Sequence, residues 1–182
     1  MELETRRLLL RPLRDDDALA MVQALNNINV SRNLAKVPFP YTLADAEGFI
    51  KAQRSFDPRS EVCAIAFKAA PDELIGVVSY VYGADARVEF GYWLRECCWH
   101  MGLMSEAAFA LVHHAFTAGG VEALHAGYHA DNLRSGRVLR GLGFEEIGSY
   151  AAFGLAQNKH VPAMRLRLTA ASWFTQKEGR AA

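Results

Sequence analysis

Cysteine is scarce in this chain of 182 residues: Cys63, Cys97 and Cys98 make an odd count with one adjacent pair. Adjacent cysteines bridge only with strain, so a disulfide framework is excluded and a reducing compartment is expected. Beside Cys97, Cys98 and His100 no C-x₂₋₄-C pair or second cluster completes four ligands, so free thiols and no metal are expected. Charge of one sign is absent too. Twenty basic and twenty acidic residues cancel, which argues against a nucleic-acid or membrane-surface partner. No run approaches the ~20 apolar residues of a membrane helix. Glu2 and Glu4 ahead of Arg6 and Arg7 lack the shape of a signal peptide, leaving the cytoplasm as the expected location. Repeats, low-complexity tracts and linkers are missing as well, so one domain over residues 1–174 with a frayed tail at 175–182 is expected. A hydrophobic fraction of 51% is enough to build its core without staples.

What is present alternates strands with single helices. Arg7 to Leu13 reads as a strand, and Asp15 to Asp17 opens a helix where negative charge suits the dipole, with Ala18, Val22 and Leu25 on its buried side. Asn26 to Asn29 ends that helix. Pro38 and Pro40 force an extended segment, and Thr42 with Asp45 opens a second helix to about Ser55. Val62–Lys68 and Glu73–Tyr82 read as a hairpin turned at Pro71 and Asp72, and Arg87–Leu94 as the next strand. A long helix from Leu103 to Ala118, a strand at Glu122–His129, a helix opening at Asn132 and strands at Phe144–Phe153 and His160–Leu168 follow, with a short helix around Trp173. The class is α/β with a mixed sheet of seven strands, flanked by about four helices.

Two segments carry chemistry. From Asn132 to Phe144, Ser135, Val138, Leu139 and Leu142 share one helical side, Asn132 is a good N-cap, and Gly143 supplies a left-handed end. Upstream, the strand ending at Leu94 leads through a loop to Gly102, where the long helix begins. The first N–H groups of a helix have no internal partner and sit at the positive end of its dipole, so they can hold a pyrophosphate. A side chain at Gly102 would hold the backbone away from it. An ordinary strand-to-helix turn would look the same.

Together these segments resemble the GNAT superfamily of acyl-CoA-dependent N-acyltransferases, whose phosphate loop reads Q/R-x-x-G-x-G/A and whose second signature reads N-x-x-S/A-x-x-x-(L/Y)-x-x-x-G-F. The opening Glu4 to Leu13 with Asp15 to Ala18, the run Glu89 to Leu94, and Pro38 to Thr42 are similar to the RimJ/RimL branch, which includes ribosomal-protein N-terminal acetyltransferases. The resemblance spans residues 4 to 173. It departs from the family at Trp99, His100, Met101 and Met104, which place less positive charge at the phosphate loop.

The resemblance implies a single-domain GNAT fold, its sheet mostly antiparallel and splayed in the middle, with a bulge in the strand before the phosphate loop. It also implies acetyl-CoA as co-substrate. Tyr92, Trp93 and Leu94 would offer backbone groups to the pantetheine arm. His100, Met101, Gly102, Leu103, Met104 and Ser105 would meet the phosphates, and Asn132 and Ser135 would contact the cofactor. Glu89 stands where the family often places a carboxylate, as general base of a buried site or as an outward-facing strand glutamate. Ser135 would be the acid or orienting hydroxyl near the sulfur, or a small residue chosen for space; the superfamily's tyrosine acid is replaced by Leu139. The acceptor would be a primary amine of a peptide N-terminus or small metabolite, set by the Ile28–Tyr41 and Phe153–His160 regions. These contain few charges of one sign, so polyamines and aminoglycosides are not expected. The branch admits a homodimer. The rival reading is a catalytically weak GNAT-fold module that binds CoA or regulates.

Overall fold

The computed structural model describes residues 1–85 and 87–181, with side chains through Gln176, so residue 182 of the expected tail lies outside the described residues. Eight strands form one sheet in the order β1-β2-β3-β4-β5-β6-β8-β7. They are β1 Leu3–Glu4, β2 Leu8–Pro12, β3 Glu61–Phe67, β4 Ala70–Tyr82, β5 Val88–Leu94, β6 Ala123–His129, β7 Glu145–Gly154 and β8 Lys159–Thr169. The helices are α1 Asp17–Leu25, α2 Ile28–Ser31, α3 Leu43–Gln53, α4 Leu103–Thr117, α5 Leu133–Leu142 and α6 Ala170–Ala181. Every strand pair is antiparallel except β5 with β6.

The sheet therefore has eight strands rather than seven. The addition, β1, pairs Leu3 with Leu10 and Glu4 with Leu9, and two residues are too few to show a period. The described residues form six helices, against about four expected: α2 begins inside the Asn26–Asn29 stretch read as the end of α1 and runs on to Ser31, and α6 extends past Trp173 to Ala181. The β3–β4 turn falls at Lys68 and Ala69, which leaves Pro71 and Asp72 inside β4.

Alternation along the central strands feeds two cores. Cys63 and Ile65 of β3, with Val78 and Tyr80 of β4, pack against Leu111, Val112 and Ala115 of α4. Ala64 and Val77 face the other way, onto Met21 and Leu25 of α1 and Ala46 and Ile50 of α3. Helix α3 starts where it does because Thr42 and Asp45 form a reciprocal capping box. On α1 the buried stripe runs through Ala18, Met21, Ala24 and Leu25, and Val22 is only half-buried. All three cysteines are free thiols.

A buried ion pair ties α1 to the sheet. Arg11 of β2, with none of its surface exposed, gives two parallel 2.8 Å bonds to the Asp17 carboxylate, which also takes the Arg14 N–H at 2.8 Å. Its Nε donates to the Pro71 carbonyl at 2.7 Å. The hydrogen bonds to Asp17 raise the Arg11 pKa against a smaller opposing effect of burial.

Candidate active site

Strand β5 is paired with β4 along its whole length, from Val88 to Leu94, but with β6 only at Val88–Leu124 and Glu89–His125. Beyond Glu89 the two strands part. The expected splay is therefore present, whereas the expected bulge is not: the β4–β5 register is continuous, and the register shifts lie in β3–β4 and β7–β8. A cleft of about 440 Å³ opens in the gap. Its walls are Phe90 to Leu94 of β5, Ala126 to Tyr128 of β6, the loop entering α4, and Asn132, Ser135, Val138 and Leu139 of α5 or its cap.

The α4 end of the cleft is backbone. Gly102 caps α4 with φ 71° and no side-chain cap, and His100 also has positive φ, at 63°. The first helical bond runs from the Glu106 N–H to the Gly102 carbonyl, which leaves the N–H groups of Leu103, Met104 and Ser105 ahead of it. Only glycine sits at such φ without strain, and a Cβ built at Gly102 would meet nothing nearer than Arg7 Nη2, at 3.7 Å. The Leu103 and Met104 side chains are buried in the α4 core, so the unusual Met104 does not crowd the loop. These residues fit a pyrophosphate: open space, unpartnered donors and a helix of fifteen residues behind them.

Three contacts hold this end still. Glu106 accepts from Thr5 Oγ1 at 2.6 Å, the Arg7 N–H at 2.8 Å and Arg7 Nε at 2.7 Å, fastening α4 to the β1–β2 turn. Burial pushes the Glu106 carboxyl up, but these hydrogen bonds outweigh it and hold it below the usual carboxylate range. Trp99 Nε1 donates to the Leu94 carbonyl at 2.9 Å, so that carbonyl, expected to be offered to the pantetheine, is already engaged. The Arg134 guanidinium stacks 4.2 Å over the Trp99 ring and brings to the cleft wall a cation that the loop itself lacks.

At the opposite wall, the Asn132 side chain caps α5 by accepting the Ser135 N–H at 3.2 Å. The Tyr92 hydroxyl reaches from β5 across the gap, 3.0 Å from Ser135 Oγ and 3.2 Å from the Ser135 carbonyl. Burial pushes the Tyr92 phenol well above its ordinary pKa, against a smaller lowering by Ser135.

The structure thus gathers Tyr92, Trp93, Leu94, His100, Gly102, Leu103, Met104, Ser105, Asn132 and Ser135 around one cleft. Met101 stands apart, half its surface in solvent, and Glu89 is not on the cleft wall. Of the two placements open to Glu89, buried or outward-facing, the structure has the second: strand alternation sends Val88 and Phe90 into the core and leaves Glu89 exposed, on the same face as Gly91 and Trp93. Of the two acceptor segments, the first supplies Val30, Asn33, Leu34 and Ala35 to the cleft. The second supplies no lining residue. It braces the first instead, through Gln157 Nε2 to the Arg32 carbonyl at 2.9 Å and the Leu155 N–H to the Ala35 carbonyl at 3.3 Å. Arg134, Arg137 and Tyr128 line the cleft without having been singled out, because nothing in their spacing marks which helical or strand face would meet the gap.

Comparison with known proteins places this geometry. The acetyltransferase (GNAT) domain profile matches residues 7–145. The uncharacterized N-acetyltransferase YoaA of Bacillus subtilis is 30% identical over 155 residues, covering 80% of this chain and 84% of that protein. A ribosomal-protein-serine acetyltransferase of Escherichia coli is 36% identical over 75 residues, 40% of this chain and 42% of its own length. The crystal structure of Mycobacterium smegmatis RimJ in complex with CoA-disulfide superposes with a TM-score of 0.78 at 19% identity, over 93% of this chain and 87% of that one, a likeness of fold.

Proposed function

The chain belongs to the GNAT acetyltransferase family, in its RimJ/RimL-like branch, and is an acyltransferase; from that premise we propose that it moves the acetyl group of acetyl-CoA onto the primary amine of a peptide N-terminus or small metabolite. The observation that carries this reading is the gap beyond the Glu89–His125 pair, with the α4 N-terminus at one end and Ser135 at its wall. Acetyl-CoA supplies an activated thioester. The amine nitrogen adds to the thioester carbon, the C–S bond breaks, its electron pair leaves on sulfur, and the proton lost by nitrogen is balanced by the one gained on the thiol.

This chain's residues divide that work. The N–H groups of Leu103, Met104 and Ser105 hold the pyrophosphate, while β5 backbone freed from β6 receives the pantetheine arm. The Ser135 hydroxyl faces the leaving sulfur. Glu89, exposed on the face it shares with Gly91 and Trp93, takes the amine proton through water rather than by direct contact. No Asp or Glu lines the cleft among the described residues, and Arg134, Arg137 and His100 do. Multiply cationic amines are therefore disfavoured, and long-range steering of them is weak.

Thiol release from acetyl-CoA, measured across peptides, amino acids, spermidine and kanamycin at low and high ionic strength, tests the reading. Turnover is expected with a peptide or amino-acid-like amine and to change little with salt. No release with any of the amines, or a preference for spermidine that fades steeply with salt, would contradict it. The first of these outcomes would leave a CoA-binding module.

A further inference from the structure

We propose that Tyr92 positions Ser135 for the departing sulfur: its hydroxyl donates to Ser135 Oγ and leaves the serine's own proton free to meet the thiolate. The proposal deepens the acetyl-transfer reading and rests on it.

The need for such a group follows from the helix. Leu139 of α5, which also lines the cleft, is buried and apolar and has no proton to offer. Two phenols line the cleft among the described residues, Tyr128 and Tyr92. Tyr128 is committed elsewhere: its hydroxyl accepts from Arg140 Nη1 at 2.9 Å and donates to Glu146 Oε1 at 3.2 Å. The Tyr128 ring packs beside Gly136 in α5's first turn, but of the two hydroxyls it is that of Tyr92 that meets Ser135 Oγ.

Tyr92 is well held for the task. Phe90 meets its ring edge-on at 5.7 Å, and the β4–β5 ladder fixes the strand beneath it. Ser135 is held in turn by Asn132 at its N–H. A serine hydroxyl has one proton and two lone pairs. The single phenol proton has two acceptors in reach, Ser135 Oγ at 3.0 Å and the Ser135 carbonyl at 3.2 Å; given to the nearer Oγ, it leaves the serine proton free and strengthens that hydroxyl's dipole, whereas given to the carbonyl it would turn the serine proton onto Tyr92. Burial raises the phenol's pKa, so Tyr92 has a proton to give to Ser135. The thiolate receives a hydrogen bond as the C–S bond breaks, and its final proton balances the one lost by the amine.

A purely structural role, stapling β5 to α5 across the gap, predicts different kinetics, so the test is a double-mutant cycle of Tyr92→Phe and Ser135→Ala. Tyr92→Phe is expected to lower kcat by about tenfold, the size of one well-placed hydrogen bond. KM for acetyl-CoA should stay within about twofold, as for an interaction used only in the transition state. In the Ser135→Ala background the same change should cost nothing further. An unchanged kcat, losses that multiply, or a loss confined to KM would overturn the assignment. If no amine turns over, the acetyl-transfer reading fails by itself, and the cycle is then run on hydrolysis of acetyl-CoA, which breaks the same C–S bond. A parent protein that breaks the thioester neither by transfer to an amine nor by hydrolysis would sink both.

Discussion

Glu89 and His125 are the last pair of the parallel ladder between β5 and β6, and the cleft begins with the next residue, Phe90. One pair of residues thus marks where sheet pairing ends and a site begins. Up to it, the β5 and β6 backbones satisfy each other; past it, the facing edges must find other partners, since buried unpaired backbone is costly. A ligand with its own amide groups meets that demand.

Glu89→Gln should slow turnover at neutral pH by about 10²-fold, the low end of general-base assistance, because the carboxylate acts through water. The deficit should shrink as pH rises, since the amine then loses its proton unaided. Rate against pH for both proteins checks this. A loss below about threefold at pH 7, or a deficit that is the same at every pH, would make Glu89 an ordinary surface glutamate of the strand.

The Arg11–Asp17 pair should govern stability. Asp17→Asn or Arg11→Met leaves one buried group without its charged partner and should cost about 3–5 kcal/mol in urea denaturation. Replacing both residues with apolar ones should recover part of that. Recovery should be incomplete because the Pro71 carbonyl loses the Arg11 donor. Single variants as stable as the parent would show that water or another group compensates.

Much of this was legible in the sequence, for identifiable reasons. Gly143 announced left-handed backbone, Asn132 and Thr42 announced caps, and the structure has each. Local chemistry of that kind is written in a few adjacent residues. What was not legible depends on the third dimension. Arg11 reads as one more basic residue of a strand, and only the return of α1 over β2 and β4 makes it a buried pair. The β5 alternation separates Glu89 from Phe90, but which set faces the helices is decided by α4 and α5. Tyr92 was marked for its backbone, while its hydroxyl proved the more specific feature, because its partner lies 43 residues away on another element. Pro71 looked like a turn, and the hairpin turned earlier at Lys68 and Ala69.

Acid should weaken the fold in a window set by His125. Burial lowers its pKa from 6.5, Glu89 raises it, and Arg167 and Arg87 lower it, for a net depression. Its Nδ1 is buried with no hydrogen-bond partner among the described residues. The unfolded chain therefore binds the proton more readily than the native one. The native state keeps its full advantage above pH 6.5 and loses it as pH falls through the lower folded value. Melting temperature of the ligand-free protein from about pH 7.5 to 5.5 should drop, and should drop less in His125→Asn. Equal slopes would assign the acid sensitivity to other groups.

The most direct measurement is acetyl-CoA binding to the parent and to Gly91→Leu. Gly91 lines the cleft, a Cβ built there meets nothing within 4 Å, and its backbone is not left-handed, so leucine should fill the gap without unfolding the sheet. At a hundred times its Kd, acetyl-CoA should stabilise the parent by about 2.7 kcal/mol, a rise in Tm of roughly 5–10 °C. In Gly91→Leu, the unliganded Tm should be unchanged and calorimetry should show affinity lower by about tenfold or more, at least about 1.4 kcal/mol. Failure of the parent to bind acetyl-CoA, or equal affinity in the two proteins, would contradict the assignment of the opening beyond Glu89 and His125 as the acetyl-CoA site.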